Sequence, residues 1–201
     1  RMGRDFDVSW RRIGPQLATL MVGTQQVSAH DALAAVEPTV AELGLDAPPV
    51  GRVNVAPLVG VASDGRDLGT LLYEPVIQAK MAVGEGASPQ GALATGGGTL
   101  ETIVLTQLAD AGRVAESLGI VARPRIGGYV RMLNPPSCSR CAVLAGGWFR
   151  WNTGFNRHPQ CDCVHIPANE DMIGDLRTDP ADYFRSLSTA EQDAVFTKAG
   201  A

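Results

Sequence analysis

The sequence predicts an α+β fold, mainly helical over its N-terminal two-thirds, then a small antiparallel β module with a cysteine-rich, zinc-type site and a C-terminal helix. Apolar residues recur at helical spacing up to Gly119, and short alternating segments follow in the region that holds all four cysteines. We expect a helical N-terminal arm in residues 1–46, a helical body in residues 47–122 and a Cys/His β module with C-terminal helices in residues 123–201. A chain of 201 residues can bury such a core without cross-links.

The N-terminal arm is predicted to contain two helices. In residues 28–43 apolar side chains recur at steps of three and four, with Ser28 as a cap and Pro38 as a bend or a new start. A shorter helix upstream is expected to begin near Pro15. The proline-rich residues 45–61 should form an extended connection to the body.

The first part of the helical body is predicted as two pieces. Residues 68–86 have helical spacing, and Pro75 marks a break or a new start within them. Ser88 and Pro89 are expected to begin one short helical turn that leads into a glycine linker, because the sequence continues as GALATGGG.

The clearest helix is predicted over residues 99–120. Thr99 is a natural N-cap, Glu101 suits the first turn, and Gly119 can serve as a left-handed stop. The apolar stripe that predicts its packing face consists of Leu100, Val104, Leu108, Ala111, Ala115 and Leu118.

The pattern changes after Gly119 from helical spacing to alternation. The segments GGYVRMLN, GGWFRWN and CVHIP each read as a short strand, since they alternate apolar and polar residues of β-favouring types. Helix signals return near the C-terminus, where Asp179 precedes Pro180 and Ser188 forms a capping box with Glu191.

Composition gives no sign of a nucleic-acid-binding or membrane-spanning protein. The formal net charge is −4, and no block of like charge indicates a nucleic-acid face or a polybasic membrane patch. No apolar run is long enough for a transmembrane helix, and no secretory signal opens the chain, so we expect folding in a reducing compartment and no membrane contact. Arg123, Arg125 and Arg131 form a modest basic patch, which is expected to face solvent or an acidic partner.

The four cysteines and one histidine suggest a metal site. Cys138 and Cys141 form a CxxC knuckle, Cys161 and Cys163 form a CxC pair, and His158 stands three residues before that pair. Four thiolates, or three thiolates with one imidazole, match tetrahedral zinc. The first choice is a shell of all four cysteines, and the second replaces one cysteine with His158.

Other interpretations of the cluster remain open at this point. His165 follows the CxC pair and is expected to be a packed or solvated histidine rather than a ligand. The sulfurs could instead form two disulfides, or they could be free thiols that behave as small apolar groups. A redox CxxC is a weaker alternative, because no thioredoxin-like βαβ context surrounds Cys138.

The cysteine segment also resembles a known family. A CxxC knuckle, a tryptophan-containing hairpin and the pattern F-x-x-HPxCxC are similar to the C-terminal signature of phage Mu protein F-like minor capsid, or head morphogenesis, proteins. The lead-in GGYVRMLNPPSC and the tail SLSTAEQDAVFTKAGA look like the version found in tailed phages of actinobacteria. The matching positions are Cys138, Cys141, Trp148, Phe155, His158, Pro159, Cys161, Cys163 and Pro167.

The resemblance implies a structural protein of the phage head. Such a protein would be assembled in the host cytoplasm, would remain in the virion in several copies, and would associate with portal, scaffold and major capsid protein. Packaged DNA is a further candidate partner. Many relatives carry arginine between the last two cysteines, whereas this chain has Asp162, which weakens the case for contact with DNA phosphates.

Two other functions compete with a structural role in the phage head. Related proteins encoded between portal and scaffold are often described as capsid maturation proteases, and His30 with Asp31, or His158, are candidate bases here. No GxSxG elbow accompanies them, so the expectation is a protein that is not an enzyme. A zinc-dependent nuclease or a nucleic-acid-binding finger is disfavoured by the acidic balance of the chain.

Overall fold

The computed structural model describes residues 5–154, 157–161, 163–172 and 179–196. Within them, helices flank a small antiparallel sheet, which confirms the predicted fold class. The helices are α1 Phe6–Glu42, α2 Leu68–Leu71, α3 Glu74–Gly84, α4 Pro89–Val121, α5 Ser139–Val143, α6 Pro180–Ser186 and α7 Thr189–Phe196, with 3₁₀ turns at Ala56–Leu58 and Glu170–Met172. The strands are β1 Gly128–Met132, β2 Trp148–Arg150 and β3 Val164–Ala168.

Helix α1 is one continuous helix, so the prediction of two shorter ones was wrong. It passes through both Pro15 and Pro38, although each proline removes one main-chain donor and costs about 3 kcal/mol in a helix interior. Val36 and Val40, on either side of Pro38, are almost fully buried. We attribute the continuity through Pro38 to this burial. The packing of the two valines contributes free energy that offsets the local cost of the proline.

Helix α4 begins where Ser88 and Pro89 predicted, but it does not stop at the glycines. The Gly91 N–H donates to Ser88 Oγ over 3.2 Å, and the helix then continues through residues 96–98, which were expected to form a linker. A Cβ atom added at Gly96 would lie 2.8 Å from the Pro75 carbonyl oxygen of α3. Glycine at this position therefore permits close contact between two helices.

The predicted start of the clearest helix was also wrong, although the helix itself is confirmed and ends at Val121, one residue past the predicted end. Thr99 lies inside α4, where its hydroxyl donates to the Thr95 carbonyl. Gly119 is helical and does not act as a left-handed stop, and a Cβ there would meet Leu33 at 2.9 Å and Val36 at 3.0 Å. A glycine that looked like a stop signal is a contact point for the C-terminal part of α1.

The remaining helix signals are confirmed. Pro75 lies in the first turn of α3, as expected for a new start. The Asp179 side chain caps α6 by accepting from two main-chain N–H groups. At α7 the Ser188 N–H donates to Glu191 Oε2 at 2.8 Å and the Glu191 N–H donates to Ser188 Oγ at 3.4 Å, which is a complete capping box.

All three predicted strands are present in one sheet with the order β2-β1-β3, and both pairings are antiparallel. Gly128 begins the central strand, where an added Cβ would lie 2.8 Å from the Trp148 ring. The indole passes over this glycine and donates from Nε1 to the Ala168 carbonyl at 3.1 Å. The side chain of Trp148 on edge strand β2 thus crosses the central strand and contacts β3 at the opposite edge.

The described chain divides into two compact units. The first combines the described parts of residues 1–31 and 54–114, and the second combines those of 32–53 and 115–201. These divisions differ from the predicted boundaries after residues 46 and 122, because α1 and α4 each contribute to both units. None of the described helices has the length and apolarity that crossing a membrane requires.

Each unit has its own apolar core. The core of the first unit is built on Met21, Leu68 and Leu72. The second unit has one cluster beside the sheet and another around the cysteines. The cluster beside the sheet contains Val36, Val40, Ala47, Ile120, Ile126 and Tyr129, and the cysteine cluster contains Leu133, Cys141, Ala142, Ala145, Cys161, Cys163 and Tyr183.

Candidate metal centre

The CxxC knuckle is formed by the start of helix α5. Cys138 is the N-cap residue in an extended conformation, and its carbonyl accepts from the Ala142 N–H at 2.9 Å. Cys141 follows within the first turn of the same helix. Residues three apart on a helical turn share one face, so the local fold brings the two sulfurs to one side.

The second half of the cluster is presented by a tight turn. The Cys161 N–H donates to the His158 carbonyl at 3.1 Å, with Pro159 and Gln160 as the two central residues. Gln160 has a φ of 62°, as the third residue of a type II turn requires. A side chain other than glycine or asparagine in this conformation is strained, and such strain is common at functional sites.

These two segments bring all five predicted ligand residues together. His158 Nε2 lies 3.2 Å from Cys138 Sγ and 3.2 Å from Cys141 Sγ, and Cys141 Sγ lies 3.8 Å from Cys161 Sγ. The ligand atoms form two groups, each within 4.8 Å: Cys138, Cys141 and His158 in one, and Cys141, Cys161 and Cys163 in the other. Cys141 belongs to both, so the cluster is continuous and could bind a metal ion.

The His158 ring is held in the orientation that a metal ligand needs. Its Nδ1 lies 2.7 Å from the Pro159 carbonyl oxygen, which can only accept a hydrogen bond. Nδ1 therefore carries the proton in neutral imidazole, and Nε2 has a free lone pair directed at the sulfurs. A backbone carbonyl commonly fixes metal-binding histidines in this way.

The distances fit a tetrahedral ion better than a disulfide. Around tetrahedral zinc, two sulfurs stand about 3.8 Å apart and a sulfur and a nitrogen about 3.6 Å apart, from the usual bond lengths. The sulfur pair already has this spacing, and the imidazole would need to retreat by a few tenths of an ångström. All four cysteines are free thiols, so the disulfide interpretation does not describe this structure.

Burial controls the protonation of the thiols. Cys138 is exposed, whereas the other three are almost fully buried. Burial, followed by interactions with the neighbouring cysteines, raises the pKa of Cys141 to about 11. The hydrogen bond with Cys161, followed by burial, raises the pKa of Cys163 far above its usual range. Without a metal, Cys141 and Cys163 hold their protons at neutral pH, so metal binding through these two thiols must release protons.

Arg131 is a member of this site that the sequence interpretation did not place there. It lies in the central strand with no exposed surface, and its Nη2 is 3.4 Å from Cys141 Sγ and 3.8 Å from Cys161 Sγ. The sequence showed only an arginine at an alternating position of a short strand. An inward-facing arginine opposite a CxC segment could have been suspected, but the register that brings them together is a tertiary property.

The other two arginines of the expected basic patch also form ion pairs within the protein, and the expected solvent exposure holds for Arg125 but not for Arg123 or Arg131. Arg123 is buried and forms an ion pair with Glu37. Arg125 is mostly exposed but is paired with Asp46. With Arg131 against the thiols, these three residues do not form a basic surface, and this removes one support for binding nucleic acid.

His165 is a packed histidine outside both ligand groups, as predicted. It is buried, its ring stacks on Tyr129 with centroids 4.2 Å apart, and its Nδ1 lies 3.2 Å from Ser117 Oγ. Its main-chain N–H donates to Glu116 at 3.2 Å. These contacts join β3 to the C-terminal end of α4, and His165 does not belong to either group of candidate ligands.

Helix α6 supports the knuckle from the C-terminal side. The Ser137 N–H donates to the Tyr183 hydroxyl at 2.9 Å, and that hydroxyl donates to the Ser137 carbonyl at 3.2 Å. Both main-chain groups of the residue before Cys138 are thereby satisfied in a buried position. Ser137 therefore connects the knuckle to α6 through its main chain.

Phe155, one of the positions that carry the family resemblance, and Asp162, where the chain departs from many relatives, lie outside the described residues. Comparison of the chain with protein-family models, with curated proteins and with solved structures gives no match in any of the three.

Proposed function

We propose that the chain is a minor capsid, or head morphogenesis, protein of a tailed bacteriophage, and that structural zinc stabilises its C-terminal module. The observation that carries the proposal is the convergence of Cys138, Cys141, His158, Cys161 and Cys163 in one cluster. These residues are the ones on which the resemblance to Mu protein F-like head proteins depends. Their convergence gives the motif a physical role in holding two short segments together.

The proposed role of the metal is structural rather than catalytic. When bound, zinc supplies a cross-link between the knuckle and the turn before β3. With five candidate ligands for four positions, the shell can be filled entirely by protein groups, and a filled shell has no position for a reactive water. The fixed Nε2 lone pair of His158 supports the shell of one imidazole and three thiolates over the shell of four thiolates.

The proposed partners are the portal, scaffold and major capsid proteins of the same particle. Helix α1 offers apolar surface for such contacts in the first unit, because Leu20 is 67% exposed and Val27 is 58% exposed. Exposed aliphatic side chains spaced by seven residues on a helix are typical of a surface that packs against another helix.

The proposal is tested by co-expressing the chain with portal, scaffold and major capsid protein and isolating the procapsids. We expect the wild-type chain to co-purify with procapsids or with portal alone. The Cys161→Ser variant, which lacks one buried candidate ligand, should be incorporated poorly. Absence of the wild-type chain from both particles would remove the head-protein assignment.

A capsid maturation protease is the alternative, and the serine–histidine contact that bears on it lies between Ser117 and His165. Ser117 Oγ lies 3.2 Å from His165 Nδ1, but Glu116 Oε2 is 3.9 Å from that same nitrogen. A catalytic triad places nucleophile and acid on opposite ring nitrogens, so this geometry is unsuited to the reaction. Cleavage of scaffold or capsid precursor by the purified chain, lost in Ser117→Ala, His30→Gln or His158→Gln, would establish the alternative.

A further inference from the structure

The guanidinium of Arg131 lies in an environment that is unusual for a permanent cation. The side chain has no exposed surface, and it lies within reach of Cys141 Sγ and Cys161 Sγ. Cys163 is hydrogen-bonded to the same side chain. Three sulfurs, all buried, therefore surround one end of the guanidinium.

A cation in this position needs negative charge close by. Moving a guanidinium out of water carries a large penalty unless an anion or several acceptors compensate it, and arginine does not lose its proton in proteins. Neutral thiols are weak acceptors, whereas thiolates are strong ones. The buried guanidinium of Arg131 is consequently better compensated when the neighbouring cysteines are thiolates than when they are neutral thiols.

The charge of a metal complex meets this requirement. Zinc held by three thiolates and one neutral imidazole carries one net negative charge, and zinc held by four thiolates carries two. One buried guanidinium neutralises the first complex completely and leaves the second anionic. Arg131 and the fixed tautomer of His158 thus point to the same ligand set.

The backbone holds Arg131 at this place independently of the sulfurs. Its N–H donates to the Gly147 carbonyl at 3.0 Å, and its carbonyl accepts from the Gly146 N–H at 2.8 Å. On the other side it pairs in register with His165 of β3. The cation is therefore positioned by the central strand of the sheet and does not depend on the metal for its location.

We infer that Arg131 is a positioning residue of the metal centre and supplies its counter-charge. Its N–H groups donate to the sulfur ligands, and its single positive charge favours a shell of three thiolates with His158. This inference rests on the proposed zinc site and adds the residue that sets its charge. Removing the cation weakens the metal complex, and a different cation in its place restores part of the affinity.

The test measures zinc affinity by competition with a chromophoric chelator for wild type, Arg131→Gln, Arg131→Lys and Arg140→Gln. Arg140 is an exposed arginine on α5 and serves as the matched control for loss of positive charge. We expect Arg131→Gln to bind zinc about 10- to 100-fold more weakly, as outer partners of metal ligands do, with Arg131→Lys intermediate and Arg140→Gln unchanged. Cobalt substitution of each variant reports the ligand set through its sulfur-to-metal charge-transfer bands.

The outcomes separate this inference from the proposed function. If wild type binds no zinc, the proposed zinc site fails and the inference fails with it. If wild type binds zinc and Arg131→Gln binds equally well, or Lys restores nothing relative to Gln, only the inference is overturned. Because Arg131→Gln could misfold, the guanidinium of wild type is also followed by ¹⁵N NMR. Its Nη protons should exchange more slowly with solvent once the metal is bound. Equal exchange rates with and without metal would overturn the inference.

Discussion

At the scale of single residues, the two histidines near the C-terminal cysteines have different environments and different roles. His158 is half-buried and directs Nε2 at two sulfurs, whereas His165 is buried and stacked on Tyr129. The difference arises from two hydrogen bonds to the ring nitrogens, one to the Pro159 carbonyl and one with Ser117. Residue type alone could not distinguish them.

The histidines give the first prediction, a pair of matched substitutions. His158→Gln should lower zinc affinity by about a hundred-fold or more, because it removes a candidate ligand rather than an outer partner. His165→Gln should leave zinc affinity unchanged and lower the free energy of unfolding by about 1 kcal/mol, the usual value of a buried ring pair. Chelator competition and chemical denaturation measure the two quantities. Equal zinc affinities for His158→Gln and wild type would exclude His158 from the shell.

At the scale of elements, close backbone contacts explain most of the differences between sequence pattern and structure. Gly96 and Gly119 each lie where a side chain would collide with a neighbouring element. The sequence showed these glycines as a linker and a stop, because local rules treat glycine as a helix breaker. A glycine required by packing and a glycine that ends a helix look alike until the neighbouring element is known.

The glycines of α4 give the second prediction. Gly96→Ala should lower the free energy of unfolding by about 1–3 kcal/mol, because the new methyl group would overlap the Pro75 carbonyl. Gly98→Ala is the matched control, since nothing lies within 4 Å of its added Cβ, and alanine there should raise stability by up to about 1 kcal/mol. Thermal or urea unfolding compares them. If both substitutions changed stability alike, the close contact between α3 and α4 would be wrong.

The capping box of α7 gives the third prediction, which concerns pH. Hydrogen bonds from the Ser188 side chain and then from its N–H hold the pKa of Glu191 below its usual range. A lowered pKa means that the contribution is present above the unfolded value of about 4.3 and is lost as pH falls through the folded value. Carboxyl NMR should therefore show a low pKa for Glu191, with α7 amides losing protection at acid pH.

Two variants check the assignment of that acid transition. Ser188→Ala should return the pKa of Glu191 towards its ordinary value, since the strongest of its hydrogen bonds is removed. Glu191→Gln should abolish the pH dependence of the α7 amides, whatever happens elsewhere in the chain. A normal pKa for Glu191 in the wild-type protein would show that the capping box does not form in solution.

At the scale of the whole molecule, the two compact units differ in what stabilises them. The first has an apolar core of helical residues around Leu68 and Leu72, which need no metal. The second includes a short three-stranded sheet whose cysteine cluster is itself part of the core. A small β element of this kind gains folding free energy directly from a bound metal.

That difference gives the fourth prediction. Removal of metal with a strong chelator should expose the amides of β1, β3 and α5 to hydrogen exchange, while α2 and α3 of the first unit keep their protection. Hydrogen exchange followed by mass spectrometry measures both units in one sample. Uniform loss of protection along the chain would mean that the units unfold together, and unchanged protection would mean that the metal has no structural role.

The sequence predicted the site better than it predicted the helix boundaries. Cysteine spacing and the HPxC turn are local features, so the five candidate ligands could be named in advance. Arg131 could not be assigned to the site, because its contact with Cys141 depends on the register of β1 and on the placement of α5. The continuity of α1 through Pro38 likewise depends on burial, which a local pattern does not contain.

The central claim is that the thiols and His158 bind one structural metal ion. The most direct test is the metal content of the chain purified without added metal under reducing conditions, measured by elemental mass spectrometry alongside its unfolding curve. The account predicts about one zinc per chain, with Cys161→Ser binding zinc more weakly than wild type and showing a less stable C-terminal unit. A metal-free wild-type protein that is as stable as the same protein supplied with zinc would contradict it.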